Sequence, residues 1–130
     1  MQTLQFESSW EKTIAIKDRE LITEIFQDSN SNMIDGQIIR LVPIWEALNY
    51  KGEILVTVLI HNFADIEQSF QKQKIAYIEK ETIIAEHTFT VPKSIIKPKT
   101  SMPWTFIFPV ESLRMKEING NGNLELQTTP

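Results

Sequence analysis

The sequence predicts a mainly β protein: an immunoglobulin-like antiparallel β-sandwich of about seven short strands with one N-terminal amphipathic helix. Three observations lead there. After Gly36 the apolar residues adopt the two-residue period of strands, with turn signals roughly every 8 to 12 residues. "EILVTVLIHN" is apolar on both faces from Ile54 to Ile60, broken only by Thr57, as expected of a central strand covered on both sides. "WTFIF" alternates Trp104, Phe106 and Phe108 against Thr105 and Ile107, which puts three rings on one face.

A chain of 130 residues is one domain, able to bury roughly two thirds of its unfolded surface. The spacing predicts a helical segment over about 9–27, strands over about 37–108 and a flexible tail over 114–130. A short strand at "TLQF" precedes the helix. Ser8 with Glu11 three residues on is a capping-box pattern, and Asp18 offers a second start. Leu21, Ile22, Ile25 and Phe26 share one helical face. "DSNSNMIDG" then breaks the period with an Asp-Gly turn signal at Asp35–Gly36.

"QIIRLVPI" is the first long strand, and Pro43 demotes its end to an edge or a bulge. "KIAYIE" and "TIIAEHTFTV" flank Lys80 and Glu81 as a hairpin whose turn type stays open without glycine or asparagine. "SII" follows, and Pro103 and Pro109 limit the last strand to five residues. The tail has two Asn-Gly steps and few apolar residues, so fraying is favoured over a hairpin. The ring stripe of Trp104, Phe106 and Phe108 reads as core. A stacking platform for bases or sugars would need a basic groove or fixing polar groups beside it.

Composition removes several chemistries. No cysteine means no thiolate nucleophile and no disulfide, and a net charge of −4 is opposite in sign to what a phosphate backbone attracts. His61 and His87 stand 26 positions apart without zinc-ligand spacing, and the four glycines, at 36, 52, 120 and 122, form no phosphate-cradling loop. No Gly-x-Ser-x-Gly elbow occurs. No metal, cofactor or nucleic acid is therefore expected. The N-terminus lacks a signal-peptide pattern, and the apolar run Ile54–Ile60 is too short to cross a bilayer, so no stable membrane insertion is expected either. His87, on the face of Ile83, Ala85 and Phe89, reads as a partly buried structural histidine, and His61 as a structural residue facing a loop. Glu79 and Glu81 read as solvated carboxylates at an exposed turn.

Two groups remain as interaction candidates. Trp45 and Tyr50 fall in a polar connection between strands, either as exposed anchors for a partner or as plugs for one end of the sandwich. Lys93, Lys97 and Lys99 fall near one edge, joined by Lys72 and Lys74, and either guard an edge strand or meet an acidic partner.

"LVTVLIHNF", "IAYIEKETIIAEHTF" and "IIKPKTSMPWTFIFPVESL" together resemble the SLAP domain, found in bacterial S-layer assembly proteins linked to the accessory Sec system and in smaller Firmicutes proteins. The resemblance covers about Ile14 to Leu113. Its most specific part is the ending, matched by Ile96, Pro98, Ser101, Pro103, Trp104, Phe106 and Phe108, preceded by an Ala85, Glu86, Phe89 step. "SNSNMIDGQII" departs from the proline-containing stretch of family members, and the larger assembly proteins carry the domain in duplicate where this chain holds one copy. The resemblance implies a non-enzymatic protein-interaction module, an accessory in S-layer or cell-surface protein assembly or secretion. With no signal-peptide pattern, a cytoplasmic location is expected, with membrane association through a partner. The interaction residues expected are Trp45, Tyr50, Lys97 and Lys99, with oligomeric state left open. The alternative is a carbohydrate or small-molecule cleft near Trp45, Tyr50 and His61. A hydrolase built from His61, Asp65 and a distant serine has no motif to support it.

Overall fold

Where the sequence period is two, the chain forms strands, and these divide into two sheets. The computed structural model describes residues 2–29, 38–115 and 117–127. Among them the elements run β1 (Thr3–Leu4), α1 (Ser8–Thr13), α2 (Ile16–Ser29), β2 (Ile39–Leu48), β3 (Ile54–Asn62), β4 (Gln68–Glu79), β5 (Thr82–Ile96), β6 (Thr100–Phe108) and β7 (Asn123–Leu126). The sheets are ordered β1-β6-β3-β2 and β5-β4-β7. Every pairing is antiparallel except that of the two-residue β1 with β6. Four strands on three is the count of an immunoglobulin-like sandwich.

The core lies between the sheets. Ile54, Val56, Val58 and Ile60 of β3, with Phe106 and Phe108 of β6, meet Ile75 and Tyr77 of β4 and Ile84, Val91 and Ile96 of β5. Phe89 sets its ring edge-on to Phe106 and Phe108 at 4.9 and 5.2 Å, and Trp104 packs half-buried beside them. The aromatic stripe is core, as its alternation predicts.

β6 has nine residues rather than five, because Pro103 sits inside the strand without breaking it. Lys99 and Ser101 accept hydrogen bonds from the backbone N–H groups of Thr3 and Gln5, at 3.0 and 2.9 Å, on the outward side of β6. Alternation puts Pro103 on that same side, where the ladder to β3 needs no N–H from it. Pro43 is tolerated similarly: β2 is a sheet edge, and its register with β3 shifts between Pro43 and Trp45. "TIIAEHTFTV" and "SII" are one long strand, β5, whose pairing with β4 shifts three times.

The expected helix is two. Glu7, not Ser8, caps α1, its carboxylate accepting the Ser9 N–H at 3.1 Å, while Glu11 reaches Arg19 at 3.1 Å instead of closing a capping box. On α2, Ile22 is buried and Ile25 and Phe26 half-buried, but Leu21 stays 40% exposed. The Asp35–Gly36 turn expected next lies outside the described residues. Lys80 and Glu81 both hold positive φ, 47° and 68°, so the β4–β5 hairpin turns through a two-residue type I′ loop without glycine.

The tail expected to fray is corrected over residues 117–127. After a bridge from Leu113 to Ala85 on the outer edge of β5, the chain passes round the tip of the β4–β5 hairpin and returns as β7 on the opposite edge, against β4. Its two Asn-Gly steps make the crossing. Gly120 holds φ +84°, and Gly122 lies so close to β4 that an added Cβ would stand 2.6 Å from the Tyr77 ring and 2.7 Å from the Ile78 carbonyl oxygen. Gly122→Ala is therefore expected to cost about 1–3 kcal/mol as overpacking, read as a lower urea midpoint with unchanged slope.

Candidate interaction surface

The four-stranded sheet has a second face, outside the core, and strand register orders it in rows. Arg40, His61 and Ser101 form one row, Val42, Leu59 and Pro103 the next, then Trp45, Thr57 and Thr105, and last Ala47, Leu55 and Ile107. Helix α2 roofs the first rows: Leu59, His61, Ser101 and Pro103 are buried, and the Phe26 ring stands 6.4 Å from that of His61. The roof ends before the last row. Ile107 is 47% exposed, Ala47 is exposed and Leu55 half-buried, which leaves an open apolar row across three strands.

Two aromatics border this open row. Trp45 is half-buried and faces a hollow of about 470 Å³ with Trp10, Ile14 and Ala15 of the α1–α2 junction. Tyr50 stands at the tip of the β2–β3 turn, 94% exposed. Its turn is well determined. The Asn49 carbonyl side chain accepts the N–H groups of Lys51 and Glu53 at 3.0 Å each, its amide donates to the Glu53 carboxylate at 2.8 Å, and Gly52 supplies φ +86°. Tyr50 is thus an exposed ring on a braced turn, with the Lys51 ammonium 5.9 Å from its centre.

The family model described as the SLAP domain matches residues 4–125, nearly the whole chain. The chain belongs to the SLAP domain family. No curated protein and no solved structure matches it. The residues that carry the family's ending have separate physical jobs in this SLAP domain: Phe106 and Phe108 fill the core, Pro103 takes an edge-facing position, and Ser101 belongs to a buried polar chain.

That chain centres on His61. Ser29, the last residue of α2, donates its hydroxyl proton to the Ile25 carbonyl at 2.6 Å and so accepts from His61 Nε2–H at 2.9 Å. The other ring nitrogen, Nδ1, is then the acceptor for the Ser101 hydroxyl, which itself accepts from the Gln2 side-chain amide at 3.1 Å. Every partner is satisfied by a neutral ring. Burial first, and the nearby Arg40 charge second, lower the His61 pKa to about 4. The network ties Gln2, just before β1, to β6, the central strand and α2, and His61 faces the roof rather than a loop.

This geometry separates residues that a cleft or a hydrolase would need together. Tyr50 precedes the start of β3 and His61 is near its end, roughly 25 Å away at about 3.3 Å per residue. His61 is fully enclosed, so Trp45, Tyr50 and His61 line no common cleft. Asp65 does not reach His61 either: it is an exposed residue paired with Lys99 at 3.6 Å. Lys97 and Lys99 sit in the β5–β6 turn, at the end of the sandwich opposite Tyr50. Asn62 fixes that turn by donating to the Lys97 carbonyl at 3.0 Å. Among the described residues no group of three or more metal-ligating side chains assembles, and no helix is long and apolar enough to cross a membrane.

Glu79 is the main residue that sequence reasoning misplaced. It is 5% exposed, not solvated. Its carboxylate accepts the Tyr77 hydroxyl at 2.6 Å, the Asn119 N–H at 3.1 Å and the Gly120 N–H at 3.0 Å, while Glu46 takes the Asn121 N–H at 3.1 Å. Burial alone would raise the Glu79 pKa. The Tyr77 hydroxyl, the two amides and the Lys80 charge outweigh it and hold the carboxyl below its ordinary value. Burial, then the bond to Glu79, pushes the Tyr77 hydroxyl the other way, well above its usual range. A cleft of about 600 Å³ lies under the crossing tail, bordered by Glu79 and Glu117, and the Glu79 carboxylate is already fully used.

Proposed function

We propose that this SLAP domain acts without catalysis, as a protein-interaction module serving the assembly or secretion of cell-surface protein. The observation that supports it best is the unroofed row of Ala47, Leu55 and Ile107, bordered by Trp45 and the braced Tyr50. An amphipathic ring carried by a rigid turn beside apolar surface is the composition of a binding hot spot, since the backbone is already ordered and only the ring's own torsions are lost on contact. The family's description supports a role beside S-layer or secretion components, and the reading adds a cytoplasmic location with attachment to a membrane through the partner.

The test uses the protein and its Trp45→Ala, Tyr50→Ala double variant as paired baits in lysate of the source organism, read by mass spectrometry. Retention of a surface-layer or secretion component by the wild type, lost by at least tenfold in the variant, is the expected result. Equal retention by both baits overturns the placement of the interface. Retention by neither overturns the reading itself.

A further inference from the structure

β6 has an outward edge that its own chain covers only in part. β1 pairs with Thr100 and Ser101 and then leaves. Lys99 and Ser101 turn their carbonyls to that side, so strand alternation turns Pro103, Thr105 and Ile107 the same way. Among the described residues no backbone group bonds Thr105 or Ile107 there. Pro103 has no N–H to leave open. The edge therefore presents two amides and their carbonyls, and β1 demonstrates that it accepts a strand.

Where β1 leaves, a groove of about 570 Å³ opens between residues 6–12 and the end of β5. Phe6, Ile95 and Met102 line it, with Lys12 and Lys97 beside them. Glu7 and Glu11 line it as well: Glu7 caps α1 through neutral donors and keeps its charge, while Glu11 is paired with Arg19. Among the described residues no carboxylate lies within ion-pairing distance of Lys12 or Lys97. With the Glu11–Arg19 pair cancelled, the two lysines face the single Glu7 carboxylate, so the groove keeps one net positive charge although the protein is acidic as a whole.

We propose that this edge and groove bind an extended segment of a partner protein, which pairs as a strand with Thr105 and Ile107 and sets an acidic side chain against Lys12 and Lys97. The inference rests on the protein-binding reading and names the chemistry of the partner. Strand addition supplies main-chain hydrogen bonds, and the groove selects the side chain at the end of the segment. Six residues at about 3.3 Å each span the distance from Met102 to Ile107. Continuity with β1 and the unpaired lysines favour such a segment over a helix, which has no free backbone groups to offer the edge.

The probes are two hexapeptides with blocked ends, Asp-Val-Thr-Val-Thr-Val and its reversed sequence, which cover both strand directions, and a matched pair with Lys in place of Asp. Binding of one acidic peptide is expected to slow amide exchange at Thr105 and Ile107 by about tenfold or more, and the Lys peptide and Lys97→Glu are each expected to weaken binding by about tenfold. Thr105→Pro removes an edge-facing N–H, as Pro103 already does, and is expected to abolish binding while circular dichroism stays unchanged. Unchanged exchange at Thr105 and Ile107 in the wild type overturns the proposal, whatever the folding of the variant. So does binding that Lys97→Glu leaves intact. Partner capture that depends on Trp45 and Tyr50 but survives Lys97→Glu would sink the edge alone and leave the interaction reading standing.

Discussion

Acidification from pH 7 to pH 4 is expected to remove about 3 kcal/mol of folding stability through His61. The ring is neutral and enclosed in the native state, with a pKa lowered from 6.5 to about 4 by burial and then by Arg40. In the unfolded chain it titrates near 6.5, so between 6.5 and about 4 the unfolded state binds the proton and the native state does not. Stability is complete above that window and falls as pH drops through it, at about 1.4 kcal/mol per pH unit. Urea denaturation across pH 4 to 8, with the His61 ring followed by NMR, checks both parts. A ring that titrates near 6.5 in the folded protein would contradict the enclosed Ser29–His61–Ser101 chain.

Glu79→Gln is expected to cost roughly 3 kcal/mol at pH 7, because the amide removes a charge that three donors share and turns an N–H₂ group toward some of them. Its pH signature differs from that of His61. Glu79 has a depressed pKa, so its contribution is present above the ordinary 4.5 and is lost as pH falls through the lower folded value. The gap between wild type and variant should therefore persist from pH 8 down to about 5 and narrow only in stronger acid. Hydrogen exchange locates the effect: the amides of Asn119, Gly120 and β7 should lose protection before those of β3. Equal protection in the two proteins would mean that the carboxylate does not hold the tail.

The parts of the fold that rest on local period were legible. Ile54 to Ile60 reads as a doubly covered strand and is interior to its sheet, and Trp104, Phe106 and Phe108 read as core because alternation puts them on one face with no basic groove beside it. What failed depends on partners far along the chain. Glu79 meets amides 40 and 41 positions away, and His61 meets serines 32 and 40 positions away. The tail reads as frayed because it has few apolar residues, yet it is held by backbone N–H groups on two carboxylates, which a hydropathy pattern does not register. A signal was present for each. Tyr77 and Glu79 share a strand face next to core residues, and a histidine that ends a strand apolar on both sides needs polar partners in the interior. For the surface, Tyr50 was legible as an exposed aromatic, while the open row of Ala47, Leu55 and Ile107 requires knowing where α2 ends its cover.

The wrapped hairpin also sets an order of events during synthesis. The β2–β3 and β4–β5 hairpins join neighbouring segments and can form as soon as each has left the ribosome. The other three closures wait, the pairing of β3 with β6 among them. Thr3 must find Thr100, and β4 stays bare along one edge until Leu124 and Leu126 emerge, 30 residues after β5 is complete. At about 5–20 residues per second that interval lasts on the order of seconds. For that time the nascent chain carries an uncovered β4 edge and an unclamped Tyr77, so the stretch from Leu113 to Leu126 acts as the latch that ends its exposure to aggregation and to chaperones.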